Sequence, residues 1–539
     1  MRCVRSFPTL ALVLFASCAG APKAPSPASV AHDLAPPPPP PMTVTPPVAP
    51  VTEVAAAPAV VAAPAVVAAP ATPAAPLVAA PPVGDPAGDT HVSHGINPWV
   101  ETERDRLSTF AADVDTASCT YSRRVLQQGQ LPAPAAVRVE EFVNYFRYRF
   151  GAPAGDGPFA VVMDAAPSPL DPRHHIVRVG VATAPKANAD RKPTHLVFLV
   201  DVSGSMSSPD KLGLAQASLR HLTRQLRAED SVSLVTYAGS TGVVLPRTRG
   251  TDQRTILAAI DRLTSGGSTA MASGLDLAYQ EAMKGVGPGR VARVIVLSDG
   301  DANVGVTGHH EMLKTIASRV EEGVTLSTIG FGMGNYRAEL MEQLGDRGNG
   351  NNYYVDSPAA AEKLFTTELV AMLEVAAKDV KLQVEFDPAL VARYRLLGYE
   401  NRDLADRDFR VDQVDAGEVG AGHQVTALYE VQLTRRADQR TPLGVVRIRH
   451  KHPDGKTATE ASFPMTSGPA GSFDVAPEDF RFAVAVACFA DRLRGAEDAQ
   501  GWSLDRIAAV ARATARGDRD RLELVALIEQ AAKLGGDRI

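Results

Sequence analysis

The run Leu196 to Met206, LVFLVDVSGSM, constrains the fold of this chain most, because a continuous apolar stretch stops abruptly at Asp201-x-Ser203-x-Ser205. An unbroken apolar run reads as a strand buried on both faces of a parallel sheet, and ligands of open α/β sheets collect beyond the ends of such strands. One carboxylate and two hydroxyls at alternate positions of a turn can all face one point. Oxygen donors in that arrangement suit a hard cation such as Mg²⁺. Asp and Ser are also ordinary residues of turns and helix N-caps, so the segment by itself reads either way.

Two further segments add to it. Gly266-Gly267-Ser268-Thr269 precedes the apolar-periodic run Met271 to Met283 and puts a hydroxyl at a helix start. Val291 to Leu297 (VARVIVL) is a second buried-strand run, and it ends in Ser298-Asp299-Gly300. The ordered trio resembles the metal-ion-dependent adhesion site of von Willebrand factor type A domains, D-x-S-x-S, then T, then D. The resemblance implies that Ser203, Ser205 and Thr269 are hydroxyl ligands, and that Asp201 and Asp299 are carboxylates acting directly or through water. The implied ion is Mg²⁺, with Mn²⁺ or Ca²⁺ as substitutes. Asp301 is an extra carboxylate whose ordinary reading is a turn residue. If the carboxylates act mainly through water, the ion keeps much of its charge and favours an anionic sixth ligand, such as an Asp or Glu offered by a partner protein.

Around these motifs strands and helices alternate. Strands are expected at 194–200, 231–237, 242–245, 291–297, 325–331 and 352–355, with helices near 212–227, 252–263, 272–283, 310–322 and 336–344, closed by a helix over 359–377. That alternation predicts an α/β fold, a doubly wound and mostly parallel sheet, over residues 191–377. Upstream, 98–190 reads as an α+β extension with helices from Thr116 to Gln128 and Val137 to Phe146 and strands near 159–163 and 175–181. Downstream, 378–539 reads as a β unit (380–386, 424–433, 443–450, 458–463) followed by helices at 479–493, 503–514 and 519–533. The run TFAADVDTASCTYSRRVLQQGQLPAPAAVRVEEFVNYF resembles the N-terminal extension of bacterial type A lipoproteins, and YRLLGYENRDLADRDF with VDAGEVGAGHQVTALYE resembles their uncharacterised C-terminal domain.

The N-terminus carries Arg2 and Arg5, an apolar stretch from Thr9 to Ala16, and Phe15-Ala16-Ser17-Cys18-Ala19. This is the pattern of a secretory signal, too short for a spanning helix. The small residues before Cys18 resemble a bacterial lipobox, with Phe15 where Leu is usual. The resemblance implies cleavage after residue 18's predecessor, lipidation of Cys18 and, since Ala19 is not Asp, an outer-membrane lipoprotein of the cell envelope. Residues 1–18 are thus expected to be the lipoprotein signal segment, ending on the lipid-bearing Cys18. Residues 19–97 hold nearly half of the chain's 41 prolines, mixed with Ala and Val, and lack the groups needed to bury a core. They form a tether.

Cys119 and Cys488 are an even pair that can become a disulfide outside the cytoplasm. Both also lie in amphipathic helical patterns, where a buried free Cys behaves as a small hydrophobe, and the sequence leaves the two readings open.

The net charge of -6 comes with no basic stripe, so neither nucleic acid nor an anionic membrane face is indicated as a partner. No zinc-protease helix, phosphate-binding Gly loop or nucleophile elbow is present. His174-His175, His309-His310 and His450-Lys-His452 read as solvated loop residues. The expectation is a binding module rather than an enzyme: an envelope-anchored domain gripping a partner carboxylate through a divalent ion. The alternative is a metal-dependent envelope hydrolase using the same ion to activate water.

Overall fold

The computed structural model of the chain describes residues 83–84, 88–153, 157–301, 306–435, 437 and 440–535. The signal segment, the lipidation candidate Cys18 and most of the 19–97 tether lie outside the described residues.

The central sheet has six strands: β1 (Thr194–Asp201), β2 (Ser231–Tyr237), β3 (Thr241–Arg249), β4 (Val291–Ser298), β5 (Val324–Phe331) and β6 (Asn352–Val355). Their order is β6-β5-β4-β1-β2-β3, parallel throughout except for the β2–β3 hairpin at one edge. Six helices pack on it: α1 (Leu214–Gln225), α2 (Gln253–Asp261), α3 (Met271–Met283), α4 (Val306–Glu321), α5 (Ala338–Arg347) and α6 (Pro358–Thr366).

Successive side chains of a strand point to opposite faces, and the apolar runs serve both. Leu196, Phe198 and Val200 join Leu219, Ile256 and Leu364 in one core, while Val197 and Leu199 join Leu275, Tyr279 and Ile316 in the other. Each such Leu or Val, fully buried, contributes about 1.5–3 kcal/mol. Covered faces on both sides explain why β1 and β4 carry no polar residue before their C-terminal ends, apart from Thr194, His195 and Arg293 near their starts. The expected helix over 359–377 is not continuous. It breaks into α6 and a short helix Leu369–Leu373, after which Val375–Phe386 is a strand. The strand wins because it finds antiparallel partners in Gly417–Gly420 and Gly444–Lys451.

The two flanks, read from sequence as separate regions meeting the central domain at 190 and 378, share their sheets. Leu107–Ala111 pairs with Val375–Phe386, and His174–Thr183 pairs with Gln424–Leu433 over nine residue pairs. A further strand, Val391–Leu397, which the sequence reading did not include, lies beside Gln424–Leu433. The inner faces of the two sheets meet in one core that includes Phe110, Leu382 and Val384 from the first and Val177, Val179 and Tyr429 from the second. The outer face of the second sheet, through Ile176 and Leu428, packs on helices Ala117–Gln127, Val139–Asn144, Glu478–Leu493, Leu504–Thr514 and Arg519–Gly535. The doubly wound domain is therefore inserted between two strands of a body built from both of its flanks.

Cys119 and Cys488 belong to this helical core, both buried and both free. The disulfide left open by the sequence is not formed. Each thiol sits on its helix as a small apolar side chain.

Candidate metal centre

β1 and β4 are neighbours with Val200 opposite Leu297, so Asp201 and Ser298-Asp299 leave adjacent strand ends side by side. The chain runs from β1 toward β2 on one side and from β4 toward β5 on the other, which makes this the switch point of the sheet and the crevice where open α/β folds place their ligands. The third segment is tied to the first by backbone: Gly204 N–H donates to the Gly267 carbonyl at 3.0 Å and Gly266 N–H to the Val202 carbonyl at 2.7 Å. Thr269 follows two residues later, half-buried, just ahead of α3. The structure thus brings all three motif segments to one end of the sheet.

Asp201 is 0 % exposed and its two oxygens have different tasks. Oδ1 accepts the Ser203 backbone N–H at 2.9 Å. Oδ2 accepts the Tyr237 hydroxyl at 3.0 Å and the Ser298 hydroxyl at 2.9 Å. Burial lifts the Asp201 carboxyl above its ordinary value and neighbouring Asp299 adds to the rise, while the Ser203 and Ser298 hydrogen bonds oppose it. Tyr237 is pushed up too, by burial first and by Asp201 second, so it stays a hydrogen-bond donor.

Asp299, also 0 % exposed, accepts the Asp301 backbone N–H on Oδ1 at 3.1 Å. On Oδ2 it accepts Lys211 Nζ at 3.0 Å and Asn335 Nδ2 at 3.2 Å. Gly300 makes that turn possible: its φ is +78°, and a Cβ there would lie 2.8 Å from the Arg337 nitrogen. Asp301 serves the turn through its backbone, in line with its reading as a turn residue.

The hydroxyls of Ser203 and Ser205 are hydrogen-bonded to each other at 2.9 Å in the turn that follows Asp201. Adjacent ligands of an octahedral Mg²⁺, at about 2.0–2.1 Å from the ion, are separated by about 2.9 Å. Two buried carboxylates against the single Lys211 ammonium also leave the cluster negative. Donor type, spacing and charge all fit a hard divalent cation. Among the described residues no group of three or more His, Cys, Asp or Glu side chains could hold a metal, so this hydroxyl-rich cluster is of a different kind.

Tyr237, Ser298, Lys211 and Asn335 were not singled out from the sequence. Tyr237 was within reach, since it ends the strand beside β1 and stands in register with Asp201. Ser298 lies inside the quoted Ser-Asp-Gly motif. Asn335 arrives from a remote loop and Lys211 from the short helical segment Pro209–Gly213 that leads into α1, and neither carries a local sign. Of the histidines, His452 is exposed in a loop as expected, but His174 is buried on a strand with Nδ1 2.8 Å from Glu430, and His450 is buried edge-on to Phe159.

Residues 195–367 match the von Willebrand factor type A domain, 86–178 match a family described as von Willebrand factor, and 371–534 match one described as the C-terminal part of the uncharacterized protein YfbK. Over 461 residues the chain is 39% identical to the uncharacterized protein YfbK of Escherichia coli (strain K12), which spans 81% of this chain and 80% of that one. The chain belongs to the YfbK family. It is 26% identical over 294 residues to the uncharacterized protein sll0103 of Synechocystis, covering 54% of this chain and 69% of that one. A solved structure, von Willebrand factor type A from Catenulispora acidiphila, shares 17% identity, covering 70% of this chain and 91% of its own, with a TM-score of 0.41. As a YfbK-family protein the chain carries a type A domain, in general a protein-interaction module, with the two flanking regions of the family.

Proposed function

We propose that this protein is an envelope-anchored binding module whose type A domain grips a partner's Asp or Glu side chain at a divalent ion, Mg²⁺ or its substitutes Mn²⁺ and Ca²⁺. Ser203, Ser205 and Thr269 would hold the ion, with Asp201 and Asp299 assisting directly or through water. When bound, the ion supplies a positive charge with a coordination position open to an anionic oxygen. The observation that carries this reading is the convergence of the Asp201-Ser203-Ser205 turn, the turn before Thr269 and the buried Asp299 at one end of the sheet, with the Ser203 and Ser205 hydroxyls in mutual hydrogen-bond contact.

The chain's own groups supply the rest. Tyr237 and Ser298 hold Asp201 in one orientation through Oδ2, and Lys211 with Asn335 holds Asp299. Oxygens so engaged favour an outer role for both carboxylates. The hydroxyl ligands are neutral, and the ion keeps the charge that attracts a carboxylate. Attachment through a lipid on Cys18, at the outer membrane, rests on the lipobox-like sequence. The spacer would be the proline-rich part of 19–97 that precedes the buried Asp89, His91 and Val92, which belong to the folded flank.

The test is binding of Mn²⁺ by the full chain and by Asp201→Ala and Asp299→Ala, followed by capture of an envelope partner with and without chelator. The expected result is metal binding lost in both variants and partner capture lost in chelator. Equal metal affinity in all three proteins would overturn the site, and partner binding undiminished by chelator would overturn the clasp. Turnover of a substrate by the metal-loaded protein, lost in Asp201→Ala, would replace it with the hydrolase.

A further inference from the structure

Lys211 is built into the site with unusual care. Its ammonium lies 3.0 Å from Asp299 Oδ2 and 2.7 Å from Asn335 Oδ1, and Asn335 in turn donates to the same Asp299 oxygen at 3.2 Å. The residue is 6 % exposed although its type is the most reluctant to be buried. Its stem runs over Gly332, where a Cβ would lie 2.2 Å from the lysine Cγ and 2.4 Å from its Cε. Gly332 sits at φ +71° just after β5, and its carbonyl accepts the Tyr354 hydroxyl at 2.6 Å. The preceding residue, Asp210, pairs with Arg124 of the Ala117–Gln127 helix. A channel shaped for the stem, and neighbours anchored from two directions, fix the position of this charge.

We infer that Lys211 is a resident countercation that weakens the site's hold on its metal and strengthens the loaded site's preference for an anionic ligand. The inference rests on the metal reading above and concerns how the same site is regulated. Asp201 and Asp299 are two buried negative charges beneath the half-buried Ser205 and Thr269, and Lys211 returns one positive charge. With the lysine, the cluster is singly negative when empty and singly positive when it holds a divalent ion. Without it the same states would be doubly negative and neutral. Charges at these separations in a poorly screened interior act strongly on one another. The lysine therefore repels the incoming metal and, once the metal is bound, leaves the net positive charge that a carboxylate neutralises. Metal and anion then help each other to bind, by the same factor in either order. Such a site is poorly loaded alone and closes when ion and partner arrive together.

The experiment is a titration of the full chain with Mn²⁺, read as free Mn²⁺ by electron paramagnetic resonance, for wild type, Lys211→Met, Lys211→Gln and Asp201→Ala, each with and without acetate. Met keeps the stem over Gly332 and Gln keeps a hydrogen-bonding head, so whichever folds by circular dichroism decides. The expected result is Mn²⁺ bound at least tenfold more tightly by the neutral variants than by wild type, with acetate tightening wild-type binding by a larger factor than theirs. Binding by the variants where wild type shows none supports the inference equally. Affinities within twofold of wild type, or weaker, overturn it while leaving the metal site standing. No binding by wild type or by either neutral variant overturns the metal reading itself.

Discussion

Arg123 and Asp356 meet at two points, Nε to Oδ2 at 2.7 Å and Nη2 to Oδ1 at 2.6 Å, with their side chains 7% and 1% exposed. Arg123 belongs to the flanking helix Ala117–Gln127 and Asp356 follows β6, so the pair clamps the flanking body onto the edge of the central sheet. The parallel fork geometry makes it a strong contact, and its burial makes it costly to leave half-made.

Removing Arg123 is expected to destabilise the protein by about 3–5 kcal/mol, because Asp356 is left buried without its counterpart. Removing Asp356 leaves Arg123 with Glu523 at 3.4 Å and should cost less. Arg123→Met should lower the urea midpoint sharply, and Asp356→Leu less so. The double variant should recover much of the Arg123→Met loss, since the charge that then remains, Glu523, is partly exposed. Equal loss in Arg123→Met and the double variant would show that shape, and not the charge pair, holds this junction.

A second expectation concerns pH. Burial pushes the Glu141 carboxyl up to about 8 and that of Glu140 up to about 7. Arg138 stands 3.4 Å from Glu141 but gives its closer contact, 2.5 Å, to Glu342. Asp115 and Glu418 are raised by burial in the same direction. A carboxyl raised in the folded state binds its proton more tightly there than in the unfolded chain. Its stabilising effect is full below the unfolded value near 4.5 and is lost as pH rises through the folded value near 8. Burial holds His195 down to about 4 and His423 down to about 3, which raises stability with pH up to their unfolded value near 6.5 and opposes the carboxyls there. Unfolding free energy should therefore decline from about pH 6.5 to about pH 8. Glu141→Gln should flatten that decline. An unchanged slope in the variant would remove Glu141 as its source.

The central domain was legible because its information is local. A strand covered on both faces must be an apolar run, and the runs ending in Asp201 and in Ser298-Asp299 display both the sheet and the site at its edge. The flanks were less legible because their pairing is not local. Nothing in Leu107–Ala111 marks Lys381 to Glu385 as its partner, and Val391–Leu397 (VARYRLL) mixes charge into a strand that only its neighbours define. The same holds within the site. Lys211 and Asp299 are 88 residues apart, and a lysine in a surface-like turn sequence gives no sign that it will be buried on a carboxylate.

Free thiols at Cys119 and Cys488 lead to a third expectation. Burial pushes the Cys119 thiol up to about 12 and the Cys488 thiol well above its ordinary value, and a thiol that cannot ionise is a poor nucleophile. Neither should react with a maleimide in the native protein, and both should react after unfolding in urea without reductant. The thermal midpoint should be the same with and without dithiothreitol. An intramolecular Cys119–Cys488 linkage in a non-reducing peptide map would contradict the packing seen here.

The last expectation follows from the way the flank holds a loop of the site. Asp89, 0 % exposed, accepts the backbone N–H groups of Gly334 at 2.8 Å and Tyr336 at 2.6 Å through Oδ1, and the Tyr121 hydroxyl at 2.8 Å through Oδ2. Asn335 lies between those two amides and reaches both Lys211 and Asp299. Asp89→Ala removes one acceptor from two amides at once, and an amide left unsatisfied when buried costs about 1–3 kcal/mol. The loop should then open locally before the protein unfolds. Hydrogen exchange should accelerate at Gly334 and Tyr336 in Asp89→Ala, while the β1 and β4 amides keep their protection. Asp89→Asn retains an oxygen for the two amides and should show a smaller effect. Uniform acceleration across the central sheet in Asp89→Ala would mean that this carboxylate supports global stability and does not brace the loop in particular.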